Sequence, residues 1–272
     1  MSLFTKVGEA AVQASVDNGG GSDSPIVSFK TGTTLKVGVK SVNDVAEYYG
    51  YGLYKKGGGG VQTFVPKQQS QRNAKGFVTG NPTVWDRAAE ALYADAKAAE
   101  ESGAAEADVK SIRETAGLFR GKQRFLRAFY DLTTGKDIVV DLSPHQERVV
   151  KAAIEENVDD LDVIPFKLAK KGEGKNAVVS LSPIVKVDRD LTDEERANFA
   201  KISEAPFDLQ SFETCLYVAD EAEQTKNLVI AGFDIARLGL SIGAAAISGS
   251  SGVPADESVP ISGDAPASEL PF

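Results

Sequence analysis

The chain has 272 residues, 42% of them hydrophobic and 25% charged, with a formal net charge of −9. No apolar run approaches the roughly 20 residues that span a bilayer, and Met1–Lys6 lacks the apolar stretch of about 7–15 residues that a secretion signal needs. A single histidine, His145, and a single cysteine, Cys215, exclude an internal disulfide and a Cys/His zinc site, so a cytoplasmic protein without metal or other cofactor is expected.

Taken in chain order, residues 1–16 place Leu3, Phe4, Val7, Ala11 and Ala14 near one face of a short helix. A Gly/Ser-rich hinge follows, so 1–24 reads as a flexible N-terminal arm. The alternation over 33–40 predicts a strand. Residues 47–54, the turn Lys55-Lys56-Gly57-Gly58-Gly59-Gly60, and 61–66 predict a hairpin. An Ala/Glu-rich insertion, 83–97 and 105–117, has helical propensity. Strands return over 124–131 and 137–142. Ser143 and Gln146 form a capping box with Pro144 at the first helical position, opening a helix to about residue 157.

A closing hairpin, 165–170 and 177–181, ends the strand series. Five or six short, largely antiparallel strands predict a mainly β fold with α. The expected architecture is an OB-fold-like small antiparallel barrel with inserted and flanking helices, a core domain covering 25–240. Thr192 caps a further helix, and 209–236 is expected to continue helically. Residues 241–272 contain Ser, Gly, Ala, Pro and acids but no Lys or Arg, a composition that predicts a disordered acidic tail.

The charge is unevenly spread. Residues 30–80 hold eight bases against two acids, whereas residues 201–272 hold three bases against eleven acids. Further basic clusters stand at Arg120, Lys122, Arg124 and Arg127, and at Lys167, Lys170, Lys171 and Lys175. The first 200 residues are therefore locally basic, as a surface for phosphates must be.

Single-stranded nucleic acid is held by cations along the phosphates and aromatic faces under the bases. Both residue types recur together here. Tyr49, Tyr51 and Tyr54 lead into Lys55 and Lys56, with Phe64 across the hairpin. Lys67, Arg72, Lys75, Phe77 and Trp85 follow. Arg120, Lys122, Arg124 and Arg127 repeat the mixture, and Lys167 and Lys170 close it. Strand alternation puts Tyr49 and Tyr51 on one face and Tyr48 and Tyr54 on the other. These residues are expected to line one cationic furrow across one side of a closed sheet.

The acidic tail ends in Glu269, Leu270, Pro271 and Phe272. This ending resembles the tails of single-stranded DNA-binding proteins of bacteria and their phages. That resemblance implies docking of Phe272 on phage or host replication, repair and recombination proteins. The stretch from Thr33 to Ile184 resembles the core of the T-even phage helix-destabilising proteins in its order of strands, aromatic hairpin and basic strand. It implies single-stranded DNA as partner, and an N-terminal arm that promotes cooperative self-association on DNA. The zinc site of that family has no counterpart in 68–80.

Enzymatic readings are weaker. Residues 117–123 imitate a phosphate loop, but the spacing is one short and Gln123 replaces the magnesium-binding hydroxyl. His145 has no paired nucleophile in view, and Asp131, Asp137 and Asp141 are acids at strand ends. The expectation is a non-catalytic protein that coats single-stranded DNA during replication, recombination and repair. A strand-annealing recombination protein and a virion assembly or scaffold protein are the alternatives.

Overall fold

The computed structural model describes residues 24–53, 60–172 and 177–241. The N-terminal arm, Tyr54, Lys55, Lys56 and the acidic tail with Glu269, Leu270, Pro271 and Phe272 lie outside the described residues. The strands are β1 (Thr34–Gly38), β2 (Val45–Leu53), β3 (Val61–Pro66), β4 (Gln71–Arg72), β5 (Val78–Gly80), β6 (Lys122–Asp131), β7 (Lys136–Leu142), β8 (Phe166–Lys171), β9 (Val178–Pro183) and β10 (Val218–Ala219). The α-helices are α1 (Val84–Glu101), α2 (Glu106–Phe119), α3 (Pro144–Glu156), α4 (Val187–Asp190), α5 (Asp193–Phe199) and α6 (Glu221–Ala231).

Eight strands form one sheet in the order β10-β3-β2-β6-β1-β8-β9, with β7 also paired to β6. The long strand β6 organises it. One edge of β6 pairs with β7 from Phe125↔Leu142 to Asp131↔Lys136. Its other edge is shared by β2, from Gly50↔Lys122 to Val45↔Arg127, and by β1 at Asp131 and Tyr130. All pairings in this sheet are antiparallel except β10 with β3.

The expected closed barrel is therefore corrected: this is a mixed α/β fold on an open, mostly antiparallel sheet. The C-terminal segment supplies the reason at one end. Val65 N–H donates to the Tyr217 carbonyl at 2.8 Å and Lys67 N–H to that of Ala219 at 2.9 Å, which occupies the edge of β3 that closure would need. At the other end β9 pairs only with β8, and α3 packs against β9, β6 and β7.

Strand alternation divides the core. One face of the β6–β1–β8 region buries Val37, Phe129, Val140, Phe166 and Leu168 under Val150 and Ile154 of α3. The opposite face buries Leu126, Ala128 and Val139 against Phe207 and Phe212. At the β2–β3 end, Tyr51, Leu53 and Phe64 pack under Trp85, Ala88 and Ala89 of α1 and Leu228 of α6.

The helices start where local chemistry dictates. Thr83, Ser143 and Thr192 each close a capping box, with Asp86, Gln146 and Glu195 as the reciprocal partners. The continuous helix expected over 209–236 is broken into a 3-10 turn at Leu209–Cys215, strand β10 and α6. Asp220 caps α6, and Gly232 ends it with a left-handed φ of 88°.

Candidate nucleic-acid interface

The β4–β5 hairpin is built around Asn73. Its side-chain oxygen accepts from the N–H groups of Lys75 at 3.0 Å and Phe77 at 3.1 Å, and Gly76 turns the chain with φ of 79°. This turn holds Lys75 and Phe77 outward, with Phe77 54% exposed.

Arg72 bolts the hairpin to the body. Its guanidinium donates to the Gly76 carbonyl at 3.0 Å, to the Tyr51 hydroxyl at 2.6 Å and to Asp86 Oδ1 at 3.0 Å. It also lies 4.3 Å from the centre of the Tyr49 ring. Asp86, in the first turn of α1, accepts further bonds from Tyr51 Oη at 2.8 Å, Thr83 Oγ1 at 3.0 Å and Ser70 Oγ. Burial pushes the Tyr51 hydroxyl up to about 12, reinforced by the Asp86 charge. Burial also opposes ionisation of Asp86, but the Ser70 and Tyr51 hydrogen bonds and the Arg72 charge outweigh it and hold the carboxyl below its usual range. Gly121 permits this packing, because a Cβ there would lie 2.7 Å from the Tyr51 ring.

Beside the hairpin lies a cleft of about 590 Å3, whose walls include Phe77, Pro82, Tyr93 and Arg120. Tyr93 is 37% exposed, and the Arg120 guanidinium sits 5.7 Å from the Phe77 ring centre. On the other side of Arg72, the face of the sheet between α3 and the hairpin carries Tyr49 and Phe125, both half-buried. Glu47 and Gln123 share that face and bond each other at 2.8 Å. The arrangement can stack planar groups on open rings while cations stand beside them.

The structure sorts the expected contact residues. Tyr49, Arg72, Lys75, Phe77 and Arg120 come together at the hairpin, and Tyr93, which sequence reasoning missed, joins them. Its signal was a second aromatic, eight positions after Trp85, among the mostly small and charged residues of α1.

Several expectations are corrected. Tyr51, Phe64 and Trp85 are 2%, 1% and 0% exposed and pack ring on ring at 5.4–6.4 Å, so they are core and not stacking platforms. Trp85 also donates its indole N–H to the Gln224 carbonyl at 3.0 Å. Arg127 is 1% exposed, bonded to Glu147 and to the Val42 carbonyl, and it joins α3 to the sheet. Arg124 is committed to Asp141 through two bonds, of 3.0 and 2.7 Å.

The remaining cations do not complete one furrow. Lys170 donates to the Phe29 carbonyl at 3.1 Å. Lys67 is exposed in a separate hollow near Asp220 and Glu221. Register and alternation put Lys122 and Arg124 on the sheet face opposite Tyr49. Lys167 is exposed on β8, apart from the hairpin. The single furrow is thus replaced by an aromatic and cationic hairpin region and a separate basic region on β1, β8 and β9.

Comparison with family models, with curated proteins and with solved structures yields no match. Among the described residues no helix is long and apolar enough to cross a membrane. No group of three or more His, Cys, Asp or Glu among them is arranged to hold a metal ion.

Proposed function

We propose that this chain is a non-catalytic, cytoplasmic phage protein that binds single-stranded DNA, protects it during replication, recombination and repair, and recruits partner proteins through Glu269, Leu270, Pro271 and Phe272. One observation carries the DNA-binding part: Phe77, Tyr93 and Tyr49 present open or half-open ring surface within a cluster that also holds Lys75, Arg72 and Arg120. Exposed rings cost free energy in water and gain it under a stacked base, about 1–3 kcal/mol each. The resemblance of the tail to single-stranded DNA-binding proteins supports the recruitment part.

Because Trp85 is fully buried, the suitable readout is anisotropy of a labelled oligo(dT) rather than tryptophan quenching. Binding is expected to be insensitive to sequence, weaker for duplex, and to fall linearly in log affinity with log salt. A duplex preference or a flat salt response refutes the reading.

A further inference from the structure

At the far end of the sheet, β1, β8 and β9 lay three residues side by side on one face: Lys36 opposite Lys167, and Lys167 opposite Ser182. Like charges directly across an antiparallel pair repel and destabilise it. Glu195 answers one of them, bonding Lys36 Nζ at 2.7 Å, and this carboxylate also accepts the Thr192 N–H of its own capping box at 2.8 Å. Lys167 has no acidic partner among the described residues.

Lys36, Lys167 and Ser182 wall a cleft of about 780 Å3, to which Thr34, Lys186, Arg189 and Asp190 add another four polar groups. Arg189 is paired with its neighbour Asp190, while Lys186 acts on Asp190 through its charge but, like Lys167, makes no ion pair among the described residues. The Asp190 carboxyl is held below its usual range first by the Arg189 hydrogen bond and then, against some burial, by the charges of Arg189, Lys186 and Lys36. The cations therefore converge on one place. Protection of a sheet edge does not account for them. Lysines that guard an edge sit on the edge strand, and here Lys36 and Lys167 occupy interior strands while the edge strand β9 contributes Ser180 and Ser182 to this face.

We propose that this cleft, which register places on the sheet face opposite Tyr49, is a second phosphate-binding surface, which takes the backbone of a single strand that leaves the hairpin region and passes round the sheet. Ammonium groups with serine and threonine hydroxyls are a donor set for phosphate oxygens. With no aromatic side chain among its walls, the cleft contacts backbone and not bases. The assignment rests on the single-stranded DNA reading above and adds to it that long strands are held at two separated places.

The test compares oligo(dT) of about 8 and about 30 nucleotides, bracketing the site sizes of single binding folds, against the wild type and a Lys167→Gln/Lys186→Gln variant. For the long oligonucleotide the variant is expected to bind about tenfold more weakly, with the log–log salt slope reduced by about 1.4. For the short one affinity changes less than about twofold, because the hairpin region alone holds it. Lys167→Arg/Lys186→Arg restores long-strand binding, which separates charge from any loss of fold. Wild type that binds both oligonucleotides while the Gln variant matches it on the long one overturns the second surface alone. Equal losses on both lengths overturn it too, because the cleft would then belong to the primary contact. Wild type that binds neither overturns the DNA reading together with this one.

Discussion

At the hairpin end of the molecule Arg72 is held by Asp86, Tyr51 and the Gly76 carbonyl, with 8% of its side chain exposed. At the β1–β8–β9 end Lys167 is exposed and lacks an acidic partner among the described residues. The same positive charge performs two tasks. Where a buried carboxylate faces it, the cation fixes a loop against a helix and offers only its flat side to a neighbouring ring. Where none faces it, the charge stays available to an anion. The hairpin end also has open rings, and the other end has hydroxyls, so the proposed stacking is assigned to the first region and the proposed phosphate contact alone to the second.

The largest break in this comparison is Asp86→Ala. It strands Arg72 in a nearly dry site and is expected to cost about 3–5 kcal/mol of stability, read by chemical denaturation. Oligo(dT) affinity should fall with it, because the hairpin loses its anchor. The corresponding change at the other end, Asp190→Ala, should leave the denaturation midpoint unmoved, since the Arg189–Asp190 pair is exposed.

Acid sharpens the same contrast. The folded Asp86 pKa lies below the unfolded value of about 3.9. Its stabilisation is therefore complete above that value and is lost as pH falls through the lower folded one. Denaturation midpoints measured from pH 6 downward should drop below about pH 4 in the wild type. In Asp86→Asn this component of the drop should be missing; an identical acid profile would contradict the role given to the network.

Phe77→Ala is expected to leave stability within about 0.5 kcal/mol, because the ring is already exposed, yet to weaken oligo(dT) binding by about 1–3 kcal/mol. Val185→Ala, at an 85% exposed position lining the other cleft, should change neither. Among the substitutions expected to alter binding, the smallest effect is that of Lys75→Gln, which should lower the salt slope by about 0.7 with little change in stability. An unchanged slope would remove Lys75 from the phosphate contacts.

Much of the strand content was legible because each strand carries its own alternation. β3 was expected over 61–66 and is found at Val61–Pro66, and β7, expected from 137, begins at Lys136. The β4–β5 hairpin was not legible: strands of two and three residues are too short to show a period. Tyr49 and Tyr51 were correctly assigned one face, but only one of them can be reached. Asp86 and Trp85, which cover Tyr51, lie more than thirty positions along the chain, and no local pattern announces such a lid.

The same distance in sequence explains Arg127. It looked like one cation of a basic strand and is instead paired with Glu147, twenty residues away on α3. The amino-acid order by itself determined where strands and capped helices begin, because alternation, capping boxes and turn glycines act within a few residues. Only the tertiary structure decided that the sheet stays open, which arginines are spent on internal partners and which rings meet solvent. Those outcomes depend on segments such as β10 and α1 arriving from elsewhere in the chain, and burial, unlike secondary structure, is a property of what lies across from a residue rather than beside it.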